Sequence, residues 1–152
     1  MSDYTLLLMV GLPRSGKTTQ ARKIARERGV AVMIVSPDAI RMALHGQPYI
    51  PTAEPLIWAM ARIQAHAAFI AGHEYVIIDA TNTTVKRRAE WVKLAKGIPG
   101  CETAALLCGA TMDLCLRRAV ADGREDLIPP IERMNDEQEE IDEEAEDIRV
   151  LF

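Results

Sequence analysis

Aromatic residues are scarce in this chain: two Phe, two Trp and three Tyr among 152 residues, or 5%. A protein so poor in flat side chains offers few platforms on which to stack a base. Tyr49 and Trp58 are the two aromatics expected near an acceptor-binding side, and each reads first as a packing residue. Cysteine is equally sparse. Cys101, Cys108 and Cys115 lie seven apart, which fits neither a disulfide framework nor a zinc-ligand spacing, so they are expected to be buried thiols in a reducing compartment. No apolar run is long enough to span a bilayer, and the start Met-Ser-Asp-Tyr lacks the basic start and small-residue cleavage site of a secretion signal. A cytoplasmic location is the expectation. The charge balance is −4, which excludes a global positive field for duplex DNA and leaves only local nucleic-acid contacts. His45, His66 and His73 show no triad or ligand spacing and are assigned no chemistry.

What is present is the composition of a soluble globular protein, 49% hydrophobic and 26% charged. The length suits one domain over residues 1–152, with no internal repeat or linker. Five apolar stretches read as strands: Thr5 to Val10, Val30 to Val35, Tyr75 to Asp79, Thr103 to Cys108 and Ile148 to Phe152. Their near-continuous hydrophobicity suggests strands covered on both faces. Helical patterns alternate with them, over Lys17 to Arg28, Pro55 to Ala71, Val85 to Lys96, Met112 to Ala121 and Pro130 to Glu146. The last carries an acidic run that reads as a solvated helix face, because Ile141, Ala145 and Ile148 keep helical spacing. The alternation predicts an α/β fold, a three-layer, doubly wound, five-stranded parallel sheet, with ligands beyond the carboxyl ends of its strands.

The most specific motif is Gly11-Leu12-Pro13-Arg14-Ser15-Gly16-Lys17-Thr18, which fits GxxxxGK[ST] between a strand and a helix. Glycines let the backbone curl so that N–H groups point inward, Lys17 supplies a mobile cation, and Thr18 offers a hydroxyl to Mg²⁺. Gly11, Pro13, Arg14, Ser15, Gly16, Lys17, Thr18 and Thr19 are therefore the candidate nucleotide-binding residues, with ATP and Mg²⁺ as the implied ligands.

Two carboxylates follow strands. In Val35-Ser36-Pro37-Asp38-Ala39-Ile40-Arg41, Ser36 can cap a helix and Pro37 suits its first position. Asp38 there either complements the helix dipole and pairs with Arg41, or accepts a proton from an attacking hydroxyl while Arg41 holds the acceptor. Asp79, closing the stretch Val76-Ile77-Ile78, is the second metal candidate beside Thr18. The residue after it is Ala80, where motor ATPases commonly place a water-activating Glu, and no guanine-reading NKxD run occurs. Phosphoryl transfer to an acceptor is favoured over regulated hydrolysis. Arg117, Arg118 and Arg124, around a helix end and Gly123, are candidates for a lid that closes over the migrating phosphoryl group.

Together GLPRSGKTT, SPDAIR, VIIDATNTTVKRRAEW and LRRAVADGRED resemble, in order and interval, the 5′-kinase domain of phage-type and bacterial polynucleotide kinases, within the P-loop kinases. The resemblance implies that Lys17 contacts the β- and γ-phosphates, Thr18 the metal, Asp38 acts as general base, Arg41 engages the acceptor, and an arginine of the 117–124 segment clamps the transferred phosphate. The chain has Arg117-Arg118 where the family more often has Arg-Asn. The implied activity is ATP-dependent phosphorylation of a polynucleotide 5′-OH. A kinase for a nucleoside, sugar or antibiotic, favoured by the acidic net charge, and a non-catalytic ATP-binding switch remain the alternatives. Arg41, Arg62 and the run Lys86-Arg87-Arg88 favour nucleic acid, although that run reads equally as a solvated helix face. Adenine recognition is expected near the last strand.

Overall fold

The computed structural model describes residues 3–151. Five strands, β1 (Tyr4–Val10), β2 (Val32–Val35), β3 (Tyr75–Ile78), β4 (Cys101–Leu107) and β5 (Arg149–Leu151), form one sheet in the order β2-β3-β1-β4-β5. Every pairing is parallel. The helices are α1 (Lys17–Arg28), α2 (Pro37–His45), α3 (Glu54–Ile70), α4 (Val85–Lys96), α5 (Met112–Ala121), α6 (Ile128–Glu137) and α7 (Glu143–Glu146).

Alternation along β1 divides its side chains between two apolar layers, since successive residues point to opposite faces. Leu6, Leu8 and Val10 pack with Ile57, Ala61 and Ala65 of α3 and Trp91, Val92 and Ala95 of α4. Leu7 and Met9 face the other way, against Ala21 and Ile24 of α1. Both faces are thus covered, which explains the unbroken hydrophobicity of β1 and β3. A third cluster, Leu12, Cys115, Ala119 and Ile131, joins α5 and α6 to the loop after β1.

The order of strands places the crossover reversal beside β1: β1 and β3 are neighbours although their register partners, such as Leu6 and Val76, stand 70 positions apart.

 The chain reaches β2 first, returns to β3 between β2 and β1, and then crosses β1 to reach β4. A crevice opens beyond the carboxyl ends of strands at such a reversal.

Four expectations need correction. Val30 and Ala31 belong to a 3₁₀ turn, Gly29–Ala31, and β2 begins at Val32; Val30 is 97% exposed, so its β-branched side chain buries nothing. The acidic stretch is not one helix from Pro130 to Glu146. It breaks between α6 and α7, where Gln138 is extended and Asp142 accepts a hydrogen bond from the Ala145 N–H to start a new turn. The cause of the break is Arg88, which is fully buried and donates to the carbonyls of Asn82, Glu139 and Glu140 and to the Glu146 carboxylate at 2.8 Å. Lys86-Arg87-Arg88 is therefore not a uniform solvated face. Finally, only Cys115 is a buried thiol; Cys101 and Cys108 are half-buried, with burial pushing the Cys101 thiol up to about 11. Phe152, the expected end of the last strand, lies outside the described residues.

Removing one partner of a buried ion pair costs about 3–5 kcal/mol, because the other charge is left without compensation. Arg88→Ala is expected to lose that much in urea unfolding, whereas Lys86→Ala, at an exposed position, changes stability by less than about 0.5 kcal/mol. Equal midpoints for the two variants would contradict the role given to Arg88.

Candidate functional site

The loop after β1 has a backbone only glycine permits at two points. A Cβ on Gly11 would sit 2.5 Å from Ser15 Oγ and 2.8 Å from the Cys108 carbonyl oxygen, and Gly16 has φ 99°. Arg14, at φ 67°, is held in the same left-handed region without being glycine. Its carbonyl accepts from Arg118 at 3.0 Å, and its guanidinium lies 3.4 Å from Asp122. Such strain persists only where surrounding contacts fix it.

At α1 the loop becomes a helix whose first turn has no side-chain cap and no acidic residue. By contrast Ser36, Thr84 and Thr111 cap α2, α4 and α5 by accepting from backbone N–H groups. The start of α1 therefore presents amide donors and the positive end of the helix dipole to an anion. Lys17 Nζ curls back to donate to the Leu12 carbonyl at 2.7 Å and to Ser15 Oγ at 3.4 Å. Burial lowers its pKa, opposed by the charge of Asp79.

Register then explains the second side of the site. Leu8 pairs with Ile78, so Asp79, immediately after β3, lies beside the end of β1. Thr18 Oγ1 donates to Asp79 Oδ2 at 2.8 Å. Burial raises the Asp79 pKa, with the Thr18 hydrogen bond and Lys17 acting in the opposite direction. Asn82, at φ 47° and buried, fastens the two strands by donating to the Met9 carbonyl at 2.8 Å, while Gly11 N–H donates to the Thr81 carbonyl at 3.0 Å. The sequence reading missed Asn82 as a clamp. Its only signal was its place three residues after a strand-end Asp.

β2 pairs with β3, Val35 opposite Ile78, which brings Asp38 to the same carboxyl end of the sheet. Asp38 is 86% exposed, and its charge acts on Lys17, Asp79 and Arg124. Arg41, only 14% exposed, donates from Nη1 to Asp38 at 2.6 Å. Its Nε and Nη2 form a two-pronged pair with Glu54 at 2.9 and 2.7 Å, a geometry suited to the planar guanidinium. Burial opposes the Arg41 charge, but the Glu54 and Asp38 contacts hold its pKa above the ordinary value. Glu54 went unrecognised in the sequence because its partner lies 13 residues away on another helix. Trp58 packs one turn further along α3, with the Arg87 guanidinium 3.7 Å and that of Arg41 5.7 Å from its ring centroid.

The arginines expected to form a lid are spread out. Arg118 reaches the loop through the Arg14 carbonyl, Arg124 pairs with Asp126 at 2.9 Å, and Arg117 is exposed on α5. Thr19, also expected at the nucleotide, is exposed one residue into α1 beyond Thr18. Pro13 is half-buried in the loop. Among the described residues no cluster of three or more His, Cys, Asp and Glu is arranged to enclose a metal. The pair Thr18–Asp79 suits Mg²⁺ nonetheless, because that ion keeps several waters and takes few protein ligands when phosphates complete its shell.

A family model described as AAA domain matches residues 6–144. The chain belongs to that family. Its phosphate loop, parallel sheet and solved neighbours make it a P-loop kinase-like domain. A chain in a structure titled as the Pnkp1/Rnl/Hen1 complex is 25% identical with a TM-score of 0.67, the match covering 78% of this chain and 40% of that one. This chain thus spans less than half of that protein's length. A gluconokinase from Sinorhizobium meliloti is 16% identical, TM-score 0.64, with 99% and 83% of the two chains covered. Kti12 from Chaetomium thermophilum, solved with ADP-AlF3, is 19% identical, TM-score 0.64, with 96% and 88% covered. Comparison with the curated proteins finds no match. Among the described residues, no helix is long and apolar enough to cross a membrane.

The raised pKa of Asp79 has a sign that can be tested. A carboxyl that holds its proton more tightly folded than unfolded costs stability when ionised, and the cost falls away as pH drops through the folded value. Asp79→Asn keeps an acceptor for Thr18 and removes the buried charge. Its urea midpoint at neutral pH is expected to equal or exceed that of the parent, with the difference shrinking as pH falls into the carboxylate range. A lower midpoint at neutral pH would show that the Lys17 attraction outweighs burial.

Proposed function

We propose that this protein is an ATP-dependent phosphotransferase that moves the γ-phosphate to a hydroxyl, with the 5′-OH of a polynucleotide as acceptor. The observation that carries the reading is the meeting, at the carboxyl end of the sheet, of a phosphate loop backed by Thr18–Asp79 and a carboxylate, Asp38, paired with Arg41. The first half suits a donor triphosphate and the second an acceptor hydroxyl.

In this mechanism the loop amides and the start of α1 hold the β- and γ-phosphates, and Lys17 exchanges the Leu12 carbonyl for a phosphate oxygen. Thr18 and Asp79 would hold Mg²⁺, which supplies charge neutralisation at the phosphates when bound. Asp38 accepts the proton of the acceptor hydroxyl as its oxygen bonds to the γ-phosphorus. The bond from that phosphorus to the bridging oxygen breaks, and its electron pair leaves with ADP. Glu54 fixes the Arg41 fork so that Arg41 can hold the acceptor while remaining against Asp38. Arg118, hydrogen-bonded to the loop at the Arg14 carbonyl, would add charge to the transferred group, with Arg117 and Arg124 as the other candidates.

A small-molecule acceptor is the second reading, and the gluconokinase neighbour and the net charge of −4 favour it. Incubation with γ-labelled ATP, Mg²⁺ and parallel panels of 5′-OH oligonucleotides, nucleosides and sugars decides between them. Label on the oligonucleotides is expected; label confined to small molecules would overturn the polynucleotide reading. Asp38→Asn separates an enzyme from a non-catalytic switch. It should bind ATP normally and transfer at least ~10²-fold more slowly, and near-normal transfer would remove Asp38 as the base.

A further inference from the structure

One concavity lies away from the phosphate loop. It is a groove of about 940 Å³ between α3 and α4, with Arg62, His66 and Lys93 along its walls and Ile63, Ile70 and Leu94 among its apolar lining. Ile63 and Ile70 are 63% and 72% exposed, one above the other at a seven-residue interval on α3. Glu90 is its one acidic lining residue, and it lies 3.2 Å from Arg87.

Along α3 the groove begins one helical turn beyond Trp58, the ring beside Arg41. Arg62 follows Trp58 by one turn of α3, and Arg87, stacked on Trp58, feels the charges of Arg62, Glu54 and Arg41. From Trp58 to Ile70 the helix rises about 18 Å, enough for a few nucleotides of extended chain. Cations on the walls and an apolar floor match a strand whose phosphates and base faces are both exposed, and they stand out on a protein of net charge −4.

We propose that the α3–α4 groove binds the single-stranded continuation of the acceptor, leading its 5′ end past Trp58 and Arg87 to Asp38. Phosphates meet Arg62, His66 and Lys93, and bases lie over Ile63, Ile70 and Leu94. This inference rests on the polynucleotide reading of the acceptor.

The test compares a dinucleotide with a 5′-OH single strand of about ten nucleotides, a length within the usual span of single-strand sites. The parent should show a lower KM for the longer strand. The double variant Arg62→Glu/Lys93→Glu, both at exposed positions, should erase that advantage by about tenfold or more. It should also reduce the salt slope of binding of a 3′-labelled strand by about 1.4, the value for two lost phosphate contacts. Lys23→Glu on α1 should preserve both. An unchanged KM ratio and salt slope in the double variant, with transfer intact, would overturn the groove and leave the kinase reading standing. A parent protein that labels no oligonucleotide of either length would overturn both. Sedimentation showing a dimer that Ile63→Lys dissociates would identify the groove as a self-association face and overturn the proposal.

Discussion

The 2.8 Å hydrogen bond from Thr18 to Asp79 joins residues 61 positions apart, and the candidate site depends on the strand pairing that makes it possible. β1 and β3 must lie side by side in parallel register for the end of one to face the end of the other. Asn82 reinforces that pairing through the Met9 carbonyl, and the backbone bond between Gly11 and Thr81 continues it past the last strand residue. The glycine-rich loop is therefore anchored at its root to the segment bearing the second polar group of the site.

The same adjacency has an electrostatic cost. Lys17 and Asp79 are both buried, and burial moves each toward its neutral form, Lys17 downward and Asp79 upward. Their mutual attraction and the Thr18 hydroxyl oppose that shift without cancelling it. A site assembled from such groups favours a ligand that brings an anion to Lys17 and a cation to Asp79, as a metal-bound polyphosphate does. Around Arg41 the balance differs. Arg41 is surrounded by Asp38 and Glu54, so burial is offset within the protein itself.

Much of the site was legible because its signals are local. Gly11 to Thr18 is a contiguous motif, and Ser36-Pro37-Asp38 announces a capped helix start that the structure contains, with Ser36 accepting from Ala39. Asp79 closes a run of apolar residues, as a strand-end carboxylate should. What escaped notice depends on partners distant in sequence. Glu54 is an ordinary helix-start acid until α3 packs on α2 and delivers it to Arg41. Arg88 looks like its neighbours Lys86 and Arg87 until the segment 138–142 folds over it. The broken acidic helix follows from the same contact, since periodicity in Ile141, Ala145 and Ile148 cannot reveal that a buried guanidinium takes the intervening carbonyls.

By itself the sequence determined the α/β class, the parallel sheet and the phosphate loop, because these rest on hydrophobic periodicity and on glycines required by the backbone within a short span. Tertiary structure alone decided which strands are neighbours, which carboxylate holds Arg41, and which member of a basic run is buried. Those outcomes depend on register and on helix packing, where side chains from separate elements compete for the same partner. A groove between two helices belongs to that second class, since neither α3 nor α4 carries its walls alone.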